Sequence, residues 1–94
     1  HLHRIQIECE TLDQVREALN AVAQAILLDN MTLDTMRRAV DIAGGKALLE
    51  ASGAITLDTV RAVADTGVDL ISVGAITHSA GSKDVSLLVK ISNP

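Results

Sequence analysis

The sequence of 94 residues contains no phenylalanine, tyrosine or tryptophan. Hydrophobic residues still make up 48% of it, so any core must be aliphatic and built from Leu, Ile, Val and Ala. A chain of this length has room for one small domain and no more. We therefore expect residues 1–94 to form a single domain, with His1, Leu2 and His3 as an unrelated junction.

Charge, cysteine and long apolar runs are also scarce. The formal net charge is -4 and there is no Lys/Arg cluster, which argues against nucleic acid as a partner. The single cysteine, Cys9, cannot form an internal disulfide, which fits a reducing cytoplasm. The longest apolar run, residues 21–28, is too short to span a bilayer. These features predict a cytoplasmic protein that binds neither nucleic acid nor membrane.

A tripeptide repeat, Thr-Leu-Asp, is the most regular feature that is present. It occurs at residues 11–13, 32–34 and 56–58. Each copy opens a pattern of apolar residues spaced by three or four, which predicts three amphipathic helices. Each Thr can act as the N-cap, and Thr11 with Gln14 forms the pattern of a capping box. Gly44, Gly45 and Gly67 stand where the second and third helices should end.

Short apolar runs of strand length alternate with these helices. They cover residues 4–10, 25–28, 46–50 and 69–73, and an alternating stretch at 84–91 predicts a fifth strand whose partner is open. The order β-α-β-α-β-α-β with short connections requires parallel strands. The fold class is therefore α/β, either part of a β/α barrel with an extra C-terminal strand or an open doubly wound sheet.

Acidic side chains stand where three of the predicted strands end, which is where both architectures bind ligands. Glu8 lies on the polar face of the first strand, whereas Cys9 lies on its apolar face and is expected to pack rather than react. Asp29 with Asn30, and Glu50, follow on the next two strands. A solvent-exposed edge strand explains Glu8 equally well, and a helix cap is the more common use of a pair such as Asp29-Asn30. If the carboxylates converge, they suit a magnesium-bound or polyhydroxylated ligand.

Glycine-containing turns are expected after two neighbouring strands, at Gly53-Ala54 and at Gly74-Ala75. Glycine lets backbone N–H groups approach an anion, and a following helix start would add positive potential. His78 could donate a further hydrogen bond to a phosphate. Each glycine by itself is explained more often by a tight turn, and a loop histidine is usually only exposed. Together they predict a phosphate-binding site.

These strand ends resemble those of the quinolinate phosphoribosyltransferases. The matching motifs are Leu-Leu-Asp-Asn at 27–30, Glu-Ala-Ser-Gly at 50–53, Ser-Val-Gly-Ala-Ile-Thr-His-Ser at 72–79 and Asp-Val-Ser-Leu at 84–87. They occur in the family's order, over nearly the whole chain. The resemblance implies parallel βα repeats that form about half of a β/α barrel, its C-terminal part.

The resemblance also implies a chemistry. That family transfers a phosphoribosyl group from phosphoribosyl pyrophosphate to quinolinate, with loss of carbon dioxide, to give nicotinate mononucleotide for NAD biosynthesis. By resemblance, Glu8 and Asp29 are the catalytic carboxylates beside the ribose and its Mg²⁺, which assists the leaving pyrophosphate. Gly53, Gly74 and His78 match the part that holds the 5′-phosphate, together with Ala54 and Ala75. Glu50 and Asn30 are expected to support them.

Departures from the family pattern limit what this chain should do alone. Family enzymes take most of the basic residues that grip quinolinate from an N-terminal domain and earlier strands, which have no counterpart here, so we expect little activity. Ala54 replaces a usual Gly or Asn. The alternatives are an engineered or ancestral half-barrel scaffold without activity and a phosphate-binding flavodoxin-like module. Unpaired sheet edges and apolar residues such as Leu27 and Leu48 predict a homodimer or higher homo-oligomer.

Overall fold

The computed structural model describes residues 5–76 and 84–91, which form five strands and three helices in the predicted order. The elements are β1 (Gln6–Cys9), α1 (Leu12–Asn20), β2 (Ala25–Asp29), α2 (Leu33–Ala43), β3 (Leu48–Ser52), α3 (Val60–Ala64), β4 (Leu70–Ile76) and β5 (Asp84–Lys90). Each of the three helices connects one strand to the next. None of the helices in this described part is long and apolar enough to cross a membrane.

All five strands form one sheet in the order β1-β2-β3-β4-β5. The first four are parallel, as predicted, and β5 runs antiparallel beside β4. A doubly wound sheet reverses its strand order at a switch point, and this sheet does not. The flavodoxin-like alternative is therefore wrong, and the sequential parallel order is that of a β/α-barrel segment.

The two faces of the sheet differ sharply in burial. Cys9, Leu28, Ala51 and Ile71 are partners across the first four strands, and all four are fully buried. They pack in one aliphatic cluster with side chains of the three helices, among them Val15, Met36, Ala39 and Val63. The other side of the sheet, here called the open face, carries the next row of partners: Glu8, Leu27, Glu50 and Leu70. These four are exposed or half-buried.

The first two helices begin, and the second one ends, as the sequence predicts. Thr11 accepts a hydrogen bond from Gln14 N–H, and the Gln14 side chain accepts one from Thr11 N–H, which completes the capping box. Thr32 caps α2 through Thr35 N–H. α2 ends at Gly44, whose φ of 55° is left-handed and therefore suits glycine.

The third helix is shorter than predicted, and its cap prediction is wrong. α3 begins at Val60, with Thr59 rather than Thr56 at the N-cap position and no side-chain cap bond. The Thr59 hydroxyl instead accepts from Thr56 N–H at 3.0 Å and donates to Thr56 C=O at 3.2 Å, which closes residues 56–59 into a turn. Leu57 is left 67% exposed. Gly67 lies in the turn before β4 and not at the helix end, because Asp65 is the C-cap.

Candidate functional site

The three predicted carboxylates lie on the open face. Glu8, Leu27 and Glu50 are consecutive partners across β1, β2 and β3, and Asp29 lies two residues beyond Leu27 on the same side. Because neighbouring strands are about 4.8 Å apart, the backbones at Glu8 and Glu50 are separated by about 10 Å. The fold thus collects the three residues on one surface without bringing them into contact. Among residues 5–76 and 84–91, no three His, Cys, Asp or Glu side chains are grouped to hold a metal ion.

Asp29 ends β2 opposite Ser52, the last residue of β3. The Ser52 hydroxyl lies 3.4 Å from Asp29 Oδ1 and 3.5 Å from the Leu28 carbonyl oxygen, so it donates only long bonds to either acceptor. Both residues are half-buried. The carboxylate of Asp29 is therefore held loosely beside β3 and keeps acceptor capacity for a ligand.

Asn30 joins the end of β2 to the loop after β3. Its backbone has a left-handed φ of 54°, and its N–H donates to the Ser52 carbonyl at 3.1 Å. Its side-chain Oδ1 accepts from Ala54 N–H at 3.2 Å. Asn is one of the few residues that adopts this conformation readily. Asn30 thus fixes the loop that contains Gly53, while its support of a ligand site stays a prediction.

Gly53 is required by this loop. Its φ is 107°, and a Cβ atom added there would lie 2.9 Å from the backbone nitrogen of Asn30 and closer still to Asn30 Oδ1. Any larger residue would push the two strand ends apart. The close approach of Asn30 accounts for this glycine without a ligand.

Gly74 does not lie where the sequence placed it. It was expected in a turn after the fourth strand, but residues 74–75 lie inside β4, where Gly74 is paired with Ser86 of β5. The helix start expected after Gly74 falls beyond Ile76, outside the described residues, and the next described element is β5. The extra length arises because β5 provides an antiparallel partner along the whole of β4. His78 lies outside the described residues.

The two glycine segments are nevertheless adjacent, as predicted. Gly74 N–H donates to the Ile55 carbonyl at 3.2 Å, which ties the Gly53 loop to β4. No atom of the described part of the chain lies within 4 Å of a Cβ added at Gly74. Since Gly74 N–H and Ala54 N–H already have protein acceptors, neither is available to a phosphate unless its present bond breaks.

A cleft of about 390 Å³ lies beside the Gly53 loop, and the sequence did not indicate it. It separates the start of α2 from the turn before α3. Met36, Ile55 and Val63 form its apolar floor, and Asn30 and Ser52 reach its edge. The repeated Thr-Leu-Asp motif predicts a third helix that begins three residues earlier than α3 does. The turn that borders the cleft was therefore not expected.

The described basic residues lie away from Glu8, Asp29 and Glu50, and the Cys9 thiol is buried. The described basic residues are Arg16, Arg37, Arg38, Lys46, Arg61 and Lys90. The four arginines lie on helices, Lys46 precedes β3, and Lys90 stands opposite Leu70 at the amino end of β4. Cys9 is fully buried, and burial together with the negative charge of Glu17 raises the pKa of its thiol. Cys9 therefore packs as a protonated side chain, as predicted.

Comparison with known proteins agrees with this geometry. Residues 1–88 match the family model described as quinolinate phosphoribosyl transferase, C-terminal domain. The chain is 43% identical over 93 residues to a probable nicotinate-nucleotide pyrophosphorylase [carboxylating] of Bacillus subtilis, covering 99% of this chain and 32% of that protein. It is 36% identical over 100 residues to a mitochondrial quinolinate phosphoribosyltransferase [decarboxylating] of Nicotiana tabacum, covering 90% of this chain and 28% of the relative.

Solved structures extend the same likeness to the fold. The nicotinate-nucleotide pyrophosphorylase of Ehrlichia chaffeensis superposes with a TM-score of 0.73 at 46% identity, over 76% of this chain and 26% of that one. The enzyme of Francisella tularensis gives 0.73 at 40% identity, over 89% and 31%. The chain spans about a third or less of the length of these relatives. It belongs to the family of quinolinate phosphoribosyltransferase C-terminal domains, as the strand-end motifs had indicated.

Proposed function

We propose that this chain forms the ribose- and phosphate-binding part of a quinolinate phosphoribosyltransferase. The observation that carries the proposal is the open face, on which Asp29 ends β2, Glu8 is the next-to-last residue of β1 and Glu50 is the middle residue of β3. The Gly53 loop and Gly74 border the same end of the sheet. Ligands of β/α barrels bind at this end.

The carboxylates would act on the ribose. Transfer of a phosphoribosyl group breaks the bond between the anomeric carbon and pyrophosphate, and positive charge develops on the sugar. Fixed negative charge near that carbon stabilises the transition state more than the ground state. Glu8 and Asp29 are the residues proposed for this role, while Glu50 keeps the surface between them and β4 acidic.

The 5′-phosphate would lie beside Gly53, Ala54, Gly74 and Ala75. Gly74 would leave room for the phosphate, because no atom of the described residues lies within 4 Å of a Cβ added there. Its N–H and that of Ala54 are engaged within the protein, so the phosphate would take its donors from elsewhere in this segment, including His78.

Magnesium fits this surface only together with a phosphorylated substrate. The described carboxylates do not form a cluster that could hold the ion by themselves. Mg²⁺ is commonly bound through one or two carboxylates plus substrate phosphates, and Glu8 and Asp29 would supply those. When bound, the ion would neutralise charge on the leaving pyrophosphate. The work of the chain itself is to orient the ribose against these two side chains.

No basic residue of the described part of the chain stands beside the three carboxylates, where quinolinate would need one. Among the described residues, the arginines lie on the helices, Lys46 precedes β3, and Lys90 lies at the end of β5 that is paired with the amino end of β4. From these positions they cannot pair with the two carboxylates of a quinolinate bound at the carboxyl ends of the parallel strands. We therefore propose that the isolated chain binds phosphoribosyl ligands but does not turn over quinolinate. This distribution of charge also favours the second candidate, a half-barrel scaffold without activity.

Titration with phosphoribosyl pyrophosphate and Mg²⁺, followed by NMR, tests the binding function. We expect shifts of the backbone signals of Glu8, Asp29, Gly53 and Gly74, and weaker binding in Glu8→Gln and Gly74→Val. Asp41→Asn is the matched control, because Asp41 lies exposed on α2, which packs on the opposite face. An absence of shifts at millimolar ligand would favour the inert scaffold.

An activity assay tests the second half of the proposal. Loss of positioning for one reactant costs on the order of 7 kcal/mol of the barrier reduction. We expect no formation of nicotinate mononucleotide above the uncatalysed background. Turnover of quinolinate by the isolated chain at an ordinary enzyme rate would contradict the proposed division of the site.

We also propose that the chain self-associates and works in the cytoplasm. The first statement is supported by β1 and β5, which have no second partner strand among the described residues, and by the exposed Leu48 and Leu88. The single buried, protonated thiol supports the second. Sedimentation equilibrium at micromolar concentration measures the association, and a species of constant 9.9 kDa would contradict it.

A further inference from the structure

The sheet has two edges, and they differ in their capacity to pair with another strand. β1 is four residues long and carries Glu8, with Glu10 directly after it, so two copies of this edge would repel each other. β5 is seven residues long, and among residues 5–76 and 84–91 it pairs with β4 and with no other strand. Long, uncovered edge strands pair readily with a strand of another chain. The β5 edge is therefore the stronger candidate for an interface.

The hydrogen-bonding direction of β5 follows from its last bond to the sheet. Ile91 N–H donates to the carbonyl of Asp69, its partner in register, at 3.0 Å. In an antiparallel pair, alternate residues direct their N–H and C=O groups to the same neighbour. The odd-numbered residues of β5 therefore bond to β4. The even-numbered residues, Asp84, Ser86, Leu88 and Lys90, direct theirs away from the sheet.

We propose that this free edge of β5 pairs with β5 of a second copy of the chain, antiparallel about a twofold axis at Leu87. This register joins even residues to even residues over the whole strand, so Ser86 stands opposite Leu88 of the other copy. It also sets Asp84 opposite Lys90 at both ends. Opposite charges at facing positions stabilise a strand pair, and like charges destabilise it. The strand is thus complementary to itself in charge and in hydrogen bonding.

Exposed apolar surface on both faces of β5 supports this site. Leu88 is 62% exposed on the open face, and Val89 is 37% exposed on the helix side. On that side a groove of about 350 Å³ runs between α3 and β5. It has five apolar and two charged lining residues: Val60, Ala64, Ile71, Val89 and Ile91, with Arg61 and Asp65. A second copy paired at β5 would bring its own strand beside Val89 and against this groove. The inference rests on the proposed self-association and assigns it to one strand.

Charge reversal at the two ends of β5 tests the register. The variant Lys90→Glu places two negative charges opposite each other at both ends of the dimer, and Asp84→Lys places two positive charges there. We expect each variant alone to dimerise at least about tenfold more weakly than the parent chain, from two like-charge pairs. Mixed in equal amounts, the two variants should form a heterodimer with the parent affinity, because every facing pair is then opposite in charge.

Proline at position 88 tests the edge itself. Leu88→Pro removes an N–H that points away from β4, so the monomer should keep its fold while the dimer is lost. Leu88→Ala keeps the N–H and is the matched control, which should still dimerise. Circular dichroism reports the fold, and sedimentation equilibrium reports association. Dimers that persist in all of these variants overturn the β5 interface but leave self-association standing, whereas a parent chain that stays monomeric overturns both.

Discussion

At the scale of single residues, the loop between β3 and α3 depends on one glycine and one asparagine. Gly53 has a φ of 107° and lies against the backbone of Asn30, while Asn30 bonds to Ala54 N–H. Gly53, the last residue of the motif Glu-Ala-Ser-Gly, is predicted from the sequence to be part of a phosphate site. Its glycine has a structural reason to be there whether or not a phosphate binds.

Replacing this glycine should therefore destabilise the free protein. We expect Gly53→Ala to lower the free energy of unfolding by about 1–3 kcal/mol, because an unfavourable φ and a contact with Asn30 N arise together. Gly74→Ala is the control, since the added Cβ meets nothing and the change in free energy should stay within about 1 kcal/mol. Urea denaturation measures both, and equal losses in the two variants would contradict the assigned role of Gly53.

Burial of Cys9 leads to a second expectation at this scale. Burial and the nearby charge of Glu17 raise its thiol pKa above the ordinary value of a free cysteine. The folded state then holds its proton at a pH where the unfolded chain releases it, so this group makes stability fall as the pH rises above about 9. Near pH 8, iodoacetamide should label the folded chain at least about tenfold more slowly than the chain in urea. Equal rates would show that Cys9 is accessible.

At the scale of elements, the three copies of Thr-Leu-Asp are identical in sequence but not in structure. The first two begin helices, and the third begins a turn closed by Thr56 and Thr59. The difference arises upstream of the motif. Ile55 is buried and its carbonyl is bonded to Gly74, so the chain enters the third copy from a fixed and different direction.

Substitution of the three threonines distinguishes these roles. Thr11→Ala and Thr32→Ala each remove a cap acceptor and should lower the free energy of unfolding by about 1 kcal/mol. Thr56→Ala should cost less than half of that free energy, because the Thr56 side chain caps no helix. Its side-chain contact with the Thr59 hydroxyl is long at 3.5 Å. Thermal or urea unfolding gives the three values. Equal costs would mean that α3 begins at Thr56 in solution.

Local sequence thus predicts the parts of this fold that depend on local contacts. The capping box at Thr11, the left-handed end at Gly44 and the packed side of Cys9 follow from residues within one turn or one strand. The length of β4 does not, because it is set by its antiparallel partner β5. The cleft beside the Gly53 loop could not be predicted either, since it follows from the tertiary bond between Ile55 and Gly74.

At the scale of the whole molecule, the three described helices all pack on one side of the sheet, and the exposure of two neighbouring leucines of β3 reflects this. Leu49 is 2% exposed under the helices, and Leu48 is 42% exposed on the open face. Leu49→Ala should cost about 2–5 kcal/mol of unfolding free energy, as for other buried leucines. Leu48→Ala should cost under about 1 kcal/mol, because little apolar area is removed from water at that position. The chemical change is the same in both variants, so urea denaturation compares the two faces directly.

Pairing of two copies through β5 leaves Leu48 exposed, since β4 lies between β3 and that edge. Equal costs at both positions would instead mean that a second copy covers the open face in solution.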